Sequence, residues 1–161
     1  YYAGHGWLDE KEDEGFWLPV DANPISKLNW IPNSDIIRSV SGMQAKHVLV
    51  VADSCFSGTL LRGLAIDNRP RTRVFYSRIV KQKARVVMTS GGNEPVTDVG
   101  GGRNSAFASA FLTLLKENTG VIDGYMLFSK LKRRVMVNTE QTPKYGDIRG
   151  HEDGDFLFVR R

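Results

Sequence analysis

A single cysteine, Cys55, stands among the 161 residues, so no disulfide can close within the chain. That excludes a small secreted scaffold held by bridges and fits a reducing, cytoplasmic setting. With only three histidines, none at paired ligand spacing, a structural zinc site and any other metal centre are not expected. No apolar run approaches the roughly 20 residues that a membrane helix needs, so no membrane partner is expected. The sequence shows no initiator Met, no signal-peptide pattern, no internal repeat and no low-complexity segment. The net charge is small, +4, with 22 basic against 18 acidic residues. Base clusters in Arg62–Arg85 and Lys130–Arg134 without the aromatic or motif support of a nucleic-acid interface. A basic connector and a solvated helix face account for them, and no nucleic-acid partner is expected.

What is present reads as one globular domain over residues 1–161, with 41% apolar and 25% charged residues. The clearest strand is His47–Ala52, a continuous apolar run of the kind buried on both faces of a parallel sheet. Ala84–Thr89 and Asp155–Val159 are two further runs of this kind. Pro19 restricts Phe16–Val20 to a short edge strand or hairpin arm. Between the strands lie helical patterns. Ser34 is placed to cap a helix carrying Ile36, Ile37, Val40 and Met43, with Gly42 weakening its last turn. Ser105–Lys116 sets Phe107, Ala110, Phe111, Leu114 and Leu115 on one stripe. Asp123 or Gly124 opens a third helix, with Met126, Leu127, Leu131 and Val135 inward and Lys130, Lys132, Arg133 and Arg134 outward. Alternating strands and helices predict an α/β fold, a parallel-rich sheet with helices on both faces. Residues 62–83 are expected to form a connector, within which Val74–Val80 suits a short helix.

In such sheets, ligands and reacting groups collect at the carboxyl ends of the strands. Two polar motifs fall there. Tyr1-Tyr2-Ala3-Gly4-His5-Gly6 reads as a strand end opening into a Gly-His-Gly turn. Asp53-Ser54-Cys55-Phe56-Ser57-Gly58 follows directly on the His47–Ala52 strand. A thiolate nucleophile with an acid/base partner requires this placement. A lone Cys is also a common small core residue, and a His beside Gly a common turn residue, so periodicity alone leaves both readings open.

The two motifs resemble the His and Cys boxes of the caspase-like cysteine peptidases, family C14, in its metacaspase and prokaryotic branch. His5 and Cys55 are separated by the roughly 50 residues typical of caspases. Trp17-Leu18-Pro19-Val20-Asp21-Ala22, Thr89-Ser90-Gly91-Gly92, Ser105-Ala106-Phe107 and Gly154-Asp155-Phe156-Leu157-Phe158 extend the resemblance over nearly the whole chain. It implies a caspase-like sheet in which two strands and their helices precede residue 1, so that this chain is a fragment or processed piece of a larger protein. It further implies that Cys55 attacks the scissile carbonyl and that His5 is the general acid/base. The backbone N–H groups of Gly6 and Cys55 are the implied oxyanion hole.

Specificity turns on Asp53. In the metacaspase branch the matching Asp floors the pocket for the residue before the cut, which implies protein or peptide substrates with Arg or Lys there. A helix N-cap is the alternative role for Asp53. Glu94 and Asp98, in the loop after the next strand, are candidates for a second pocket acid, a solvated loop being the alternative. Asp9–Glu14 lacks the alternating ligand spacing of a calcium site, so no cofactor is expected, although some members of the branch need calcium. Gly100-Gly101-Gly102 lacks the feeding strand and the Lys-Ser/Thr of a phosphate loop and reads as a substrate-binding loop. An upstream domain or regulatory partner is expected, and the basic residues of 62–83 invite self-cleavage around Arg69–Arg73. Two rival readings are a non-catalytic caspase-like scaffold and a flavodoxin-like nucleotide-binding domain; the second leaves both boxes unexplained.

Overall fold

A computed structural model describes residues 1–54, 60–61, 69–91 and 104–160. The central sheet has the order β1 (Tyr2–Ala3), β5 (His47–Asp53), β6 (Ala84–Thr89), β8 (Lys144–Asp147). The first three strands are mutually parallel and β8 runs antiparallel to β6. Two smaller antiparallel sheets join it: β2 (His5–Asp9) with β3 (Glu14–Leu18) and β4 (Ile31–Pro32), and β7 (Val121–Asp123) with β9 (Leu157–Val159). The fold is mixed α/β with a mostly parallel central sheet.

The apolar runs behave as strands packed on both faces, β6 buried throughout and β5 over its C-terminal half. Side chains alternate across a strand, so β5 and β6 feed two cores. Leu49, Val51, Val86 and Met88 pack with α3 (Ala106–Glu117) and α4 (Gly124–Asn138) through Phe107, Phe111, Leu114, Leu127, Phe128, Leu131 and Val135. Val48, Val50 and Val87 pack on the other face with Val40, Ile36 and Ile37 of α1 (Asn33–Gly42). Phe107 and Leu131 are fully buried, and truncating Phe107 to Ala costs about 3–5 kcal/mol.

Capping fixes where the helices start. Ser105 and Asp123 accept the N–H groups of Ala108 and Met126, so α3 and α4 begin where the sequence places them. The first helix differs from expectation. Pro32, not Ser34, occupies its N-cap without a side-chain cap bond, and the carboxylate of Glu14 accepts the Ser34 N–H instead. Within the connector, Thr72 caps α2 (Arg73–Ile79), which buries Phe75 and Ile79. Of the two roles expected for Phe16–Val20, the hairpin arm holds: β3 begins earlier, ends at Leu18, pairs antiparallel with β2 and carries β4 on its other side. Pro19 falls one residue past the ladder, so its missing N–H removes no bond there.

Asp155–Val159 is not a central strand. Only Leu157–Val159 is extended, paired with β7. Asp155 is turned inward by the Tyr145 hydroxyl and by the Tyr125 and Phe156 N–H groups. Gly154 passes so close to the Gln82 carbonyl that a Cβ would lie 2.5 Å from it.

Arg85, which ends the basic cluster and lies in the Ala84–Thr89 run, is fully buried on β6. Its guanidinium donates to five carbonyls: Val40, Met43, Ala45, Lys46 and Ala84, at 2.6–3.1 Å. These include the C-terminal carbonyls of α1, the negative end of that helix. Every donor of the guanidinium is used. The residue thereby orders the turn between α1 and β5.

Candidate active site

The register of β1 against β5 brings the two polar motifs together. Tyr2 pairs with Ala52 and Ala3 with Asp53. His5 follows Ala3 by two residues, and Cys55 follows Asp53 by two. Both boxes thus leave adjacent parallel strands at the same carboxyl edge, where an α/β sheet concentrates chemistry. Cys55 itself lies outside the described residues, as do Glu94, Asp98 and Gly100–Gly102. Asp53 and Ser54, which lead into the cysteine, are buried, while His5 is exposed at the first position of β2.

The expected Gly-His-Gly turn is tighter than that. Gly4 alone separates β1 from β2, and His5 already pairs with Leu18. Tyr2 explains why. Its ring stacks on Trp17 at 4.2 Å, and its hydroxyl lies 2.7 Å from the His5 carbonyl oxygen and accepts the Leu18 N–H at 3.1 Å. The ring folds back over Gly4 so closely that a Cβ there would sit 2.6 Å from the hydroxyl. Glycine is required by this approach. A half-buried aromatic and a short backbone link therefore hold the His5 main chain against the hairpin.

Asp53 is held as firmly. Its Oδ2 accepts the Ser105 hydroxyl at 2.5 Å and the Tyr1 hydroxyl at 3.2 Å. Ser105 also caps α3, so one hydroxyl ties the helix start to the carboxylate. Burial pushes the Tyr1 phenol pKa up, and the charge and hydrogen bond of Asp53 push it further, so Tyr1 remains a donor. Asp53 Oδ1 is buried and has no hydrogen-bond partner among the described residues. Ser90 Oγ, just past the end of neighbouring β6, is likewise buried and unpartnered. A bare buried carboxylate oxygen costs free energy unless something meets it.

Tyr1, Tyr2, Ser90 and Ser105 were not singled out as site residues from sequence. Their roles arise from contacts between elements, and only the Ser105 cap position was legible. Gly6 sits next to His5 on β2, opposite Trp17. The acidic run is engaged elsewhere: Asp9 accepts the Lys11 and Glu12 N–H groups, and Lys27 bridges Asp9 and Glu12 at 2.8 Å. Among the described residues no group of three or more His, Cys, Asp or Glu is placed to hold a metal ion. No described helix is long and apolar enough to cross a membrane.

A second polar cluster lies at the start of α4. Arg71 meets the fully buried Asp123 through Nε and Nη2, each at 3.2 Å, and its guanidinium lies over Phe75 and Tyr125. Burial, opposed by hydrogen bonds from Tyr145, Tyr125 and Phe156 and aided by the charge of Asp123, raises the Asp155 pKa to about 6. In a comparison with curated proteins, none matches the chain. Among protein-family models, the caspase domain matches residues 1–149.

Proposed function

Because the chain belongs to the caspase-domain family of cysteine peptidases, we propose that it hydrolyses peptide bonds after Arg or Lys through a Cys55–His5 dyad, as in the metacaspase branch. The observation that carries this reading is the pairing of Ala3 with Asp53, which brings His5 and the residues leading into Cys55 to one edge of the sheet. The Cys55 thiolate attacks the scissile carbonyl carbon, and the developing oxyanion takes hydrogen bonds from the Gly6 and Cys55 N–H groups. As the tetrahedral intermediate collapses, the C–N bond breaks and His5 gives its proton to the leaving amine. His5 then takes a proton from water, which attacks the thioester and releases the carboxylate product and the thiolate. No metal or cofactor is required for any step.

Asp53 gives the substrate's cation its partner. A buried carboxylate with an open oxygen rewards a guanidinium or ammonium and leaves an acidic side chain unpaired. Glu94 and Asp98 are the candidates for a second pocket acid. Self-cleavage in the connector is part of the same reading, with its sites narrowed. Arg71 is paired with Asp123 and Arg73 opens α2, and both contacts disfavour cleavage after those two residues.

The test is cleavage of otherwise identical peptides with Arg, Lys or Asp before the bond, with an electrophilic Arg-peptide probe read by mass spectrometry. Arg and Lys peptides are expected to be cut, and the probe to label Cys55. Equal cleavage of the Asp peptide would refute the pocket, and robust turnover by Cys55→Ala would refute the nucleophile. An inert protein that neither labels nor cleaves would favour the scaffold reading.

A further inference from the structure

We infer that Ser90 is a specificity-determining residue that supplies the second acceptor for a substrate guanidinium and so makes the site prefer Arg over Lys. The inference rests on the reading of Asp53 as the floor of the pocket for a basic residue. It starts from the number of acceptor sites that Asp53 has left. A carboxylate offers about two lone-pair sites on each oxygen. On Asp53, Oδ2 already accepts two hydroxyls, from Tyr1 and Ser105. It is filled. Only Oδ1 is open, buried and without a partner among the described residues.

One open oxygen cannot make the parallel, two-oxygen contact by which a carboxylate ordinarily grips a guanidinium. The planar fork of an arginine presents two adjacent N–H groups, and one of them needs an acceptor from elsewhere. Ser90 is placed to give it. Ala52 pairs with Thr89 in the parallel ladder, and the Ser90 N–H continues that ladder to the Ala52 carbonyl at 3.0 Å. Asp53 and Ser90 are therefore the next neighbours along β5 and β6. Each lies two residues beyond a member of the same apolar core, Val51 and Met88, and strand alternation returns both side chains to that face. Both are buried: Ser90 completely, Asp53 with 9% of its surface exposed. Ser90 Oγ is the other unpartnered buried oxygen at this edge among the described residues. Leaving a hydroxyl dry and unbonded costs stability and is retained where a ligand completes it.

A lysine ammonium behaves differently. It is a compact point charge on a shorter reach, satisfied by Oδ1 and water without a planar second contact. Ser90 thus separates the two basic side chains, whereas Asp53 serves both.

The experiment compares kcat/KM for Arg and Lys peptides of identical flanking sequence in the parent protein, Ser90→Ala and Asp53→Asn. Ser90→Ala is expected to lower kcat/KM for the Arg peptide about tenfold or more and for the Lys peptide less than about threefold, collapsing the preference. Asp53→Asn is expected to impair both. A parallel loss on both peptides in Ser90→Ala, or no loss on either, would overturn the role of Ser90 while an impaired Asp53→Asn leaves the pocket intact. Survival of both activities in Asp53→Asn would instead overturn the pocket reading itself.

Discussion

The carboxyl edge of the central sheet and its opposite pole treat buried polar groups in contrary ways. At the opposite pole and beside α4, saturation is the rule. Arg85 spends five donors on five carbonyls, Asp123 holds Arg71 with both oxygens, and Asp155 accepts one hydroxyl and two N–H groups. At the carboxyl edge, Asp53 Oδ1 and Ser90 Oγ have no hydrogen-bond partner among the described residues, and His5 is exposed. Saturated networks fix a structure, while open buried acceptors cost stability and wait for a ligand. The contrast separates the part of the sequence that holds the fold from the part proposed above to meet substrate.

Substitutions at the two ends should accordingly fail in different assays. The largest effect is expected from Cys55→Ala, which should lower turnover by roughly four orders of magnitude or more while leaving the unfolding midpoint unchanged. Adding His5→Ala should make little further difference, since residues that act as one unit are not additive; a large additional loss would separate the two. Arg85→Met inverts the pattern. It takes the guanidinium away from five carbonyls, of which those of Val40 and Lys46 keep a backbone N–H, and denaturant unfolding should reveal a loss of about 4 kcal/mol. A loss under about 1 kcal/mol would mean that water reaches those carbonyls readily. Asp123→Ala removes both the α4 cap and the partner of Arg71, at an expected cost of about 3 kcal/mol in the same assay.

Asp155 gives the saturated pole a pH signature. Its folded pKa, about 6, lies above the ordinary 3.8, so the folded state holds the proton more tightly. Stability from this group is present at low pH and is lost as pH rises between those two values. The 2.2-unit difference from 3.8 to about 6 corresponds to at most about 3 kcal/mol. Unfolding free energies of the parent and Asp155→Asn across that window should diverge in slope, and identical slopes would remove Asp155 from the account. The smallest effect belongs to Tyr2→Phe, which keeps the stack on Trp17 and deletes the hydroxyl near the His5 carbonyl. A drop of about tenfold or less in kcat with KM preserved is expected; a change in KM alone would place Tyr2 in substrate binding.

The strands at His47–Ala52 and Ala84–Thr89 were legible because a strand packed on both faces is apolar along most of its length. The starts of α3 and α4 were legible because Ser105 and Asp123 are local caps. Legibility failed where a distant partner decided the outcome. Ser34 resembles a cap until Glu14, twenty residues earlier, supplies the acceptor. Asp155–Val159 reads as a central strand until Tyr145 and the α4 N-terminus take the aspartate inward. Arg85 reads as the end of a basic cluster until five carbonyls converge on it. The two boxes and Asp53 were visible in the sequence; the locking of Asp53 by Tyr1 and Ser105 was not, because two hydroxyls distant in sequence from the carboxylate they meet carry no shared local pattern.

The pairing of β5 with β6 has a consequence for chain continuity. These strands flank the connector and share six register pairs, from His47 with Ala84 to Ala52 with Thr89. Within the connector, Arg71 is clamped to Asp123 and α2 buries Phe75 and Ile79. A nick before Arg71 would therefore create two polypeptides but not two particles. The pieces would part on a denaturing gel and travel together under native conditions, held by a parallel ladder that no longer depends on a covalent path between its strands.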